Sequence, residues 1–549
     1  MIRYKVFDSK YFSLICFIIF VCLFVSCGGD GDSYDESEQT NQYLYPLSGN
    51  VFYEEYIPTD TGLSNEIYTE PVRYANYEIV SEDGSLIKKG SLDKDGGYYA
   101  ERKKDESIYV NIYSDTRFSG IANTYVVDSN GYVYIYTSPL ITPDLSINTD
   151  ITIRIVNHGQ KSGAYNILDV ASTCSKKMID STKIMHPELR ITWELGNLNK
   201  IVFGKIVSSS FYSRSETIPT IYLVGGQETF DKSIDLESET AHFDDMVIAH
   251  EIGHFMLDHY SVDASQGGGH NGNNLYPSLS LSEGFATWFA AACLKDPNYL
   301  STVGLPPKQQ LNFSNYNIEN IDNIPYRSFG IQSEFTVSEI LWDIYDGSED
   351  YSIDSDNDGI QIKFDDIMHI FQLFRKQKDY PYLITFLDRL KDNNFLTELE
   401  ISNLLQSPTD QYIEYPYPVV WPFQMELEMA YPIDGNPYFI GIPESGTIES
   451  ESYLFSGSFF LNQFWSFFIN KPLADIVITF GVKEEGISQI LKLELYTIDN
   501  IFITAKQCKS GQYIQINESL LKGSYIIKII AYDNNIEQYG RYWLSVEEN

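Results

Sequence analysis

Residues 250–254 read His-Glu-Ile-Gly-His, and no other five residues constrain this chain as tightly. Successive helical residues are about 100° apart, so His250 and His254 lie about 40° from each other, one turn apart, with both imidazoles on one face. Two zinc ligands follow from that spacing. Glu251 lies about 100° round from His250, close enough to reach a water beside the metal and too displaced to be a ligand, which is where a general base belongs. Asp244 and Asp245 precede the motif where negative charge meets the positive end of a helix dipole, predicting a helix from about Asp244 to Asp258. Gly253 costs a helix interior stability and so marks the close approach of another element.

A catalytic zinc keeps three protein ligands and one open position, so a third ligand must come from elsewhere. The pattern H-E-x-x-H-x-x-G-x-x-H would supply it locally, but its Gly position is Leu257 and its last position is Tyr260, while His259 is out of register. The better candidate is Glu283 in "SLSLSEGFATWFAAACLKDP". That stretch predicts a second helix with Ser282 as N-cap, an apolar face of Phe285, Trp288, Phe289 and Ala292, and an end at Lys295 and Pro297. A first-turn Glu can reach the metal from it. Between His254 and Glu283 stand 28 residues, among them "SVDASQGGGHNGNN", a Gly- and Asn-rich loop suited to a mobile lip. His270 in this loop has three readings: a hydrogen-bond donor to the developing oxyanion, a replacement for Glu283 on the metal, or a solvated loop histidine. Tyr326 and Tyr345 are the alternative oxyanion donors.

"SEGFA" is similar to the segment that carries the glutamate ligand in gluzincins, the thermolysin and aminopeptidase type. The longer series "VIAHEIGHFMLDHYS", "GGGH", "SEGFATWFAAACLKDPNY" and "SEFTVSEILWDIYD" resembles a group of secreted bacterial gluzincin-like metallopeptidases over about 190 residues, from "SGAYNILDV" onward. This resemblance implies zinc, a ligand set of His250, His254 and Glu283, and peptide hydrolysis; it implies no particular substrate. The gap before Glu283 is longer than in the best-known gluzincins.

"DSDNDGIQIKFD" matches the first six places of an EF-hand-type calcium loop, with Asp354, Asp356 and Asp358 as side-chain ligands and Gly359 for the turn. Its twelfth place is Asp365, shorter than the bidentate Glu of that pattern. Calcium is therefore a second candidate cofactor, with a plain acidic turn the alternative.

The N-terminus reads as export machinery. Arg3, Lys5 and Lys10 precede an apolar run from Phe12 to Val25, broken only by Ser13 and short of the roughly 20 residues that span a bilayer. Ser26-Cys27 followed by "GGDGDS" resembles a bacterial lipoprotein signal, which implies lipidation of Cys27 and attachment to the cell envelope, although Phe24 stands where that pattern prefers Leu. Removing residues 1–26 takes the formal charge from −38 to −40. So acidic a surface repels nucleic acid and phospholipid headgroups, and it suits divalent cations. Cys174, Cys293 and Cys508 are far apart and show no metal-ligand spacing, so neither a disulfide framework nor a cysteine zinc site is indicated.

Texture divides the remainder. Residues 28–42 form an acidic flexible tether. From 43 to 150, alternating "YANYEIV" and the turns "EDGS", "DKDGG" and "SNG" predict an antiparallel β-sandwich that resembles carboxypeptidase regulatory-like modules. Residues 151–415 carry helical periodicity. Residues 416–549 return to strands, and "LLKGSYIIKIIAYDNNIEQYGRYWLSV" resembles a pre-peptidase C-terminal domain. The expected architecture is multidomain, an α+β gluzincin-like domain flanked by two β-sandwiches. The expected function is a lipid-anchored zinc metallopeptidase acting on a peptide or protein, with Glu251 activating a zinc-bound water. The rival is a non-catalytic surface-binding lipoprotein on a peptidase-like scaffold; Glu251 argues against it, since a structural zinc site has four protein ligands and no use for a base.

Overall fold

The computed structural model describes residues 44–405 apart from short stretches, the longest being 322–329, and beyond them 429–430, 438–439, 447–450, 462–482, 490–498, 501–509, 511–531 and 542–548. The architecture is multidomain and mixes helices with several open sheets. Two compact units emerge: one holds the described residues up to Ser172 with Glu188–Asp245 and Thr302–Leu311, the other Thr173–Pro187, Met246–Ser301 and the described residues from Asn312 onward. Among the described residues no helix is long and apolar enough to cross a membrane.

The first unit is organised by the strand Leu44–Thr59, whose buried positions alternate through Leu47, Val51, Tyr53 and Glu55, the period of a strand with one covered face. It pairs antiparallel with Gly97–Lys103 and Gly62–Pro71, and parallel with Ile151–Ile153. A second, antiparallel sheet runs Leu86–Ser91, Asn76–Ser81, Ile108–Tyr113, Ile135–Thr137. The sheets meet where the Tyr77 and Tyr98 rings stand 6.2 Å apart and the Tyr77 hydroxyl donates to the Tyr99 carbonyl at 3.1 Å. At the "DKDGG" turn Gly96 takes a φ of 75°, and an added Cβ would stand 2.4 Å from the Val51 carbonyl oxygen, so only glycine fits. The all-antiparallel expectation does not extend to Thr124–Val127. Buried at every position, that segment pairs parallel with Leu189–Thr192, in one sheet with Thr220–Tyr222 and Phe211–Ser213. A strand covered on both faces shows a continuous apolar run, which alternation cannot reveal.

A polar nest lies inside this unit. The Tyr53 hydroxyl donates to Asn166 Oδ1 at 3.0 Å, and Asn166 Nδ2 donates to Asp245 Oδ1 at 2.8 Å. Arg73 pairs with Asp169 and, at 3.2 Å, with Glu70. Burial, then the neighbouring carboxylates Asp245, Glu70 and Asp169, push Glu55 up to about 9. Burial likewise pushes Asp169 to about 7 against the pull of Arg73, and Asp245 to about 6 against its hydrogen bond from Asn166.

Among the described residues the α-helices are α1 (Gln160–Thr182), α2 (Asp245–Tyr260), α3 (Pro277–Leu294), α4 (Glu334–Tyr345), α5 (Phe364–Gln377), α6 (Leu383–Asp392) and α7 (Glu398–Leu404). In the second unit α2 is apolar nearly all round, with Ile248, Ala249, Ile252, Phe255, Met256 and Leu257 buried, as befits a core helix. α3 begins five residues before the expected N-cap, because Pro277 suits a first helical position, where no N–H is needed and φ is preset. It ends at Leu294, and Lys295 turns the chain with a φ of 58°. Phe285 of α3 meets Phe371 of α5 at 4.7 Å, Phe371 stacks on Phe386 of α6 at 4.6 Å, and Trp288 stacks on Phe364 at 5.5 Å. Truncating any of these rings to Ala costs about 3–5 kcal/mol. Towards the C-terminus, one antiparallel sheet orders Thr447–Ser450, Tyr542–Glu548, Asn462–Val482, Tyr513–Ala531, Ile490–Thr497 and Phe502–Lys509. Phe467, Ile476, Ile478, Phe480, Leu493 and Ile527 are among its buried side chains.

Candidate metal centre

Helices α2 and α3 build the site together. An added Cβ on Gly253 would stand 2.8 Å from the Cα of Ala286, so the close approach expected at this glycine is the crossing with α3. His250 and His254 flank this glycine on α2, and Glu283 stands three residues before Ala286 on α3. His250 Nε2 lies 3.2 Å from Glu283 Oε2, His254 Nε2 lies 3.1 Å from the same oxygen, and the two Nε2 atoms are 3.1 Å apart. Three donor atoms thus form a nearly equilateral triangle.

That triangle tests whether the residues fit a zinc ion. Ligand atoms about 2.1 Å from a tetrahedral zinc stand roughly 3.4 Å from each other, close to all three edges. Borderline nitrogen donors and one carboxylate are also the ligand chemistry zinc accepts in open sites. His250 and Glu283 are buried, and His254 nearly so. The other ring nitrogens are engaged as well: His250 Nδ1 is 3.1 Å from Thr287 Oγ1, and His254 Nδ1 is 3.1 Å from Ser282 Oγ. The donor set fits.

His270 joins the cluster from the loop between the helices. Its Nδ1 is 2.6 Å from Glu334 Oε2 and its Nε2 is 3.6 Å from Glu283 Oε2. His270, Glu283 and Glu334 form a second grouping whose ligand atoms lie within 4.8 Å of one another. Glu334 occupies the first turn of α4, behind Ser333, which caps that helix by accepting from the Thr336 N–H. Gly284 allows α3 and α4 to meet, since a Cβ there would stand 2.5 Å from the Val337 side chain.

Charge ties the cluster together. Burial pushes Glu283 towards protonation, but the His270 and His254 imidazoles outweigh it and hold the carboxyl well below its ordinary range. Burial opposes protonation of His254 too, yet the Glu283 carboxylate raises that imidazole to about 9, and Glu283 with Glu334 raises His270 to about 10. His250 is lowered, burial dominating. Glu251 is buried on α2 and raises both His254 and His270 electrostatically, which places its carboxylate beside the cluster.

Of the residues expected from sequence, His250, His254 and Glu283 converge and Glu251 lies alongside. Ser282 is inside α3 rather than at its N-cap, and its hydroxyl is spent on His254. Tyr345 packs against Trp288 and Trp342, its hydroxyl 3.4 Å from Lys177 Nζ. Tyr326, Asp354, Asp356, Asp358 and Cys27 lie outside the described residues; Asp365 is exposed in the first turn of α5, where an acidic side chain complements the helix dipole. Glu334 and Thr287 were missed. In sequence the first looks like an ordinary acidic residue opening a helix, and the second like one more helix-interior position.

No family model matches the chain, and no curated protein matches it. Among solved structures it is similar to the pre-peptidase C-terminal domain of a collagenase from Bacillus anthracis, at 24% identity over 18% of this chain and 87% of that one, with a TM-score of 0.15. It is also similar to a family 35 carbohydrate binding module from Clostridium thermocellum, at 12% identity over 19% of this chain and 89% of that one, with a TM-score of 0.14.

Proposed function

We propose that this chain is a zinc-dependent peptidase of the gluzincin type, exported and held at the cell envelope by lipid on Cys27. The observation that carries the reading is the triangle of His250 Nε2, His254 Nε2 and Glu283 Oε2 with Glu251 one residue along the same helix. His250, His254 and Glu283 would hold the ion. When bound, zinc supplies a Lewis acid that polarises a peptide carbonyl and makes water more acidic. Glu251 accepts the proton of the attacking water and returns it to the departing amine. His270, kept protonated by Glu334 and Glu283, donates from Nε2 to the carbonyl oxygen as that atom gains charge. Glu334 orients the ring through Nδ1.

The test is metal content and peptide hydrolysis by a fragment spanning residues 28–549. The reading expects one zinc per chain, hydrolysis abolished by a chelator and restored by zinc, and an inactive Glu251→Gln that still holds the ion. A protein that binds no zinc, or one whose hydrolysis survives Glu251→Gln, sinks it.

A further inference from the structure

The Nδ1 atoms of His250 and His254 rest on hydroxyls rather than on carboxylates or backbone carbonyls. Both are tied to hydroxyls of α3, five residues apart, on either side of Glu283: Ser282 Oγ at His254 Nδ1 and Thr287 Oγ1 at His250 Nδ1, each 3.1 Å away. With Nε2 as the ligand atom, Nδ1 carries the proton and donates it. Each hydroxyl oxygen accepts, leaving its own hydrogen to point onward; Thr287 shares a further hydrogen bond with the Tyr316 phenol. Ser282 and Thr287 are themselves buried, so water cannot readily substitute for either hydroxyl.

We propose that Ser282 and Thr287 are positioning residues of the metal site. Their hydroxyls fix both imidazoles in the tautomer and orientation that present Nε2 to the ion, and thereby set its affinity. One helix then supplies the third ligand and both supports for the other two, so the site is assembled by the packing of α2 on α3, through Gly253 and Ala286, rather than by the metal. A hydroxyl withdraws less proton character from an imidazole than a carboxylate would. A hydroxyl support therefore makes each imidazole a weaker donor than a carboxylate support would, and the ion would keep more of its charge for the groups that approach its open side. This inference rests on the zinc-site reading and concerns what tunes it.

The experiment measures zinc affinity by competition with a chromophoric chelator and the visible absorption of the cobalt-substituted protein, for wild type, Ser282→Ala, Thr287→Val and Thr287→Ser. Thermal midpoints of the metal-free proteins are recorded alongside. The expected result is a ~10–100-fold loss of affinity in Ser282→Ala and in Thr287→Val, with altered cobalt bands, and near wild-type values in Thr287→Ser. Affinities within twofold of wild type in both deletion variants overturn the proposal. So does a Thr287→Ser protein as weak as Thr287→Val, because it would mean that packing and not the hydroxyl matters. If Thr287→Val does not fold, Ser282→Ala and Thr287→Ser decide by the same criteria. A wild type that binds no zinc refutes the metal-site reading itself, an outcome distinct from wild-type binding that the hydroxyl variants leave unchanged.

Discussion

Two buried polar groupings, one in each compact unit, treat their carboxyl groups in opposite ways. In the nest around Asn166, burial together with neighbouring acids drives Glu55 to about 9, Asp169 to about 7 and Asp245 to about 6, with the Arg73 cation opposing the rise at Glu55 and Asp169. In the cluster on α2 and α3, Glu283 is buried as deeply, but its neighbours are His254 and His270, and it is held well below its ordinary range. Desolvation is common to both, so the sign of the neighbours decides. Carboxyls among carboxylates are pushed towards the protonated form. A carboxylate among imidazoles stays ionised, and the same place that balances it with protonated histidine can balance it with a cation once the histidines are neutral.

The comparison is tested most severely by Glu283→Ala. Removing the ionised carboxylate should weaken zinc by more than the ~100-fold that outer partners carry, whereas Glu55→Gln should leave zinc content at one per chain. Equal zinc in wild type and Glu283→Ala, measured by atomic absorption after dialysis, would end the contrast. Glu251→Gln comes next: hydrolysis should fall by about 10²–10⁴-fold with the ion retained. A smaller loss, about 10²–10³-fold in turnover, is expected of His270→Ala, with zinc again retained. If that variant loses zinc instead, His270 belongs among the ligands.

The smallest effect concerns the nest and its pH dependence. Glu55, Asp169 and Asp245 have folded-state values raised above their unfolded ones. Their contribution to stability is therefore fully present below about pH 4 and is lost as pH rises through the range of about 6 to 9. Glu55→Gln should flatten that decline and make the protein more stable than wild type at pH 8. Thermal midpoints across pH 4–9 provide the check, and an unchanged slope would show that Glu55 is not the group holding the proton.

Much of the His/Glu cluster was legible because part of its signal is local. His250, Glu251 and His254 lie on one helix, so periodicity placed both histidines on one face, while "SEGFA" made Glu283 the better candidate for a partner with His270 as the alternative. The start of α3 was misplaced because "SLSLS" offers several capping residues and the decisive one was Pro277, whose preset φ opens the helix. Ser282 thus looked like a cap, whereas it sits inside α3 with its hydroxyl against His254 Nδ1. The parallel strand Thr124–Val127 escaped notice for a different reason: its partner Leu189–Thr192 lies some sixty residues away, and pairing at that distance leaves no trace in local alternation.

The sequence by itself determined that His250 and His254 share one helix face and that a carboxylate, Glu251, stands next to the first. These follow from the fixed rise and turn of the α-helix, a property of consecutive residues. Only the tertiary structure decided that Glu283 stands within 3.2 Å of both histidines, that Glu334 lies against His270, and that two hydroxyls of α3 lie against the Nδ1 atoms of His250 and His254. Those relations span 28 to 64 intervening or separating positions of chain. They exist because Gly253 lets α3 approach α2 and Gly284 lets α4 approach α3, so that side chains remote in sequence are desolvated together.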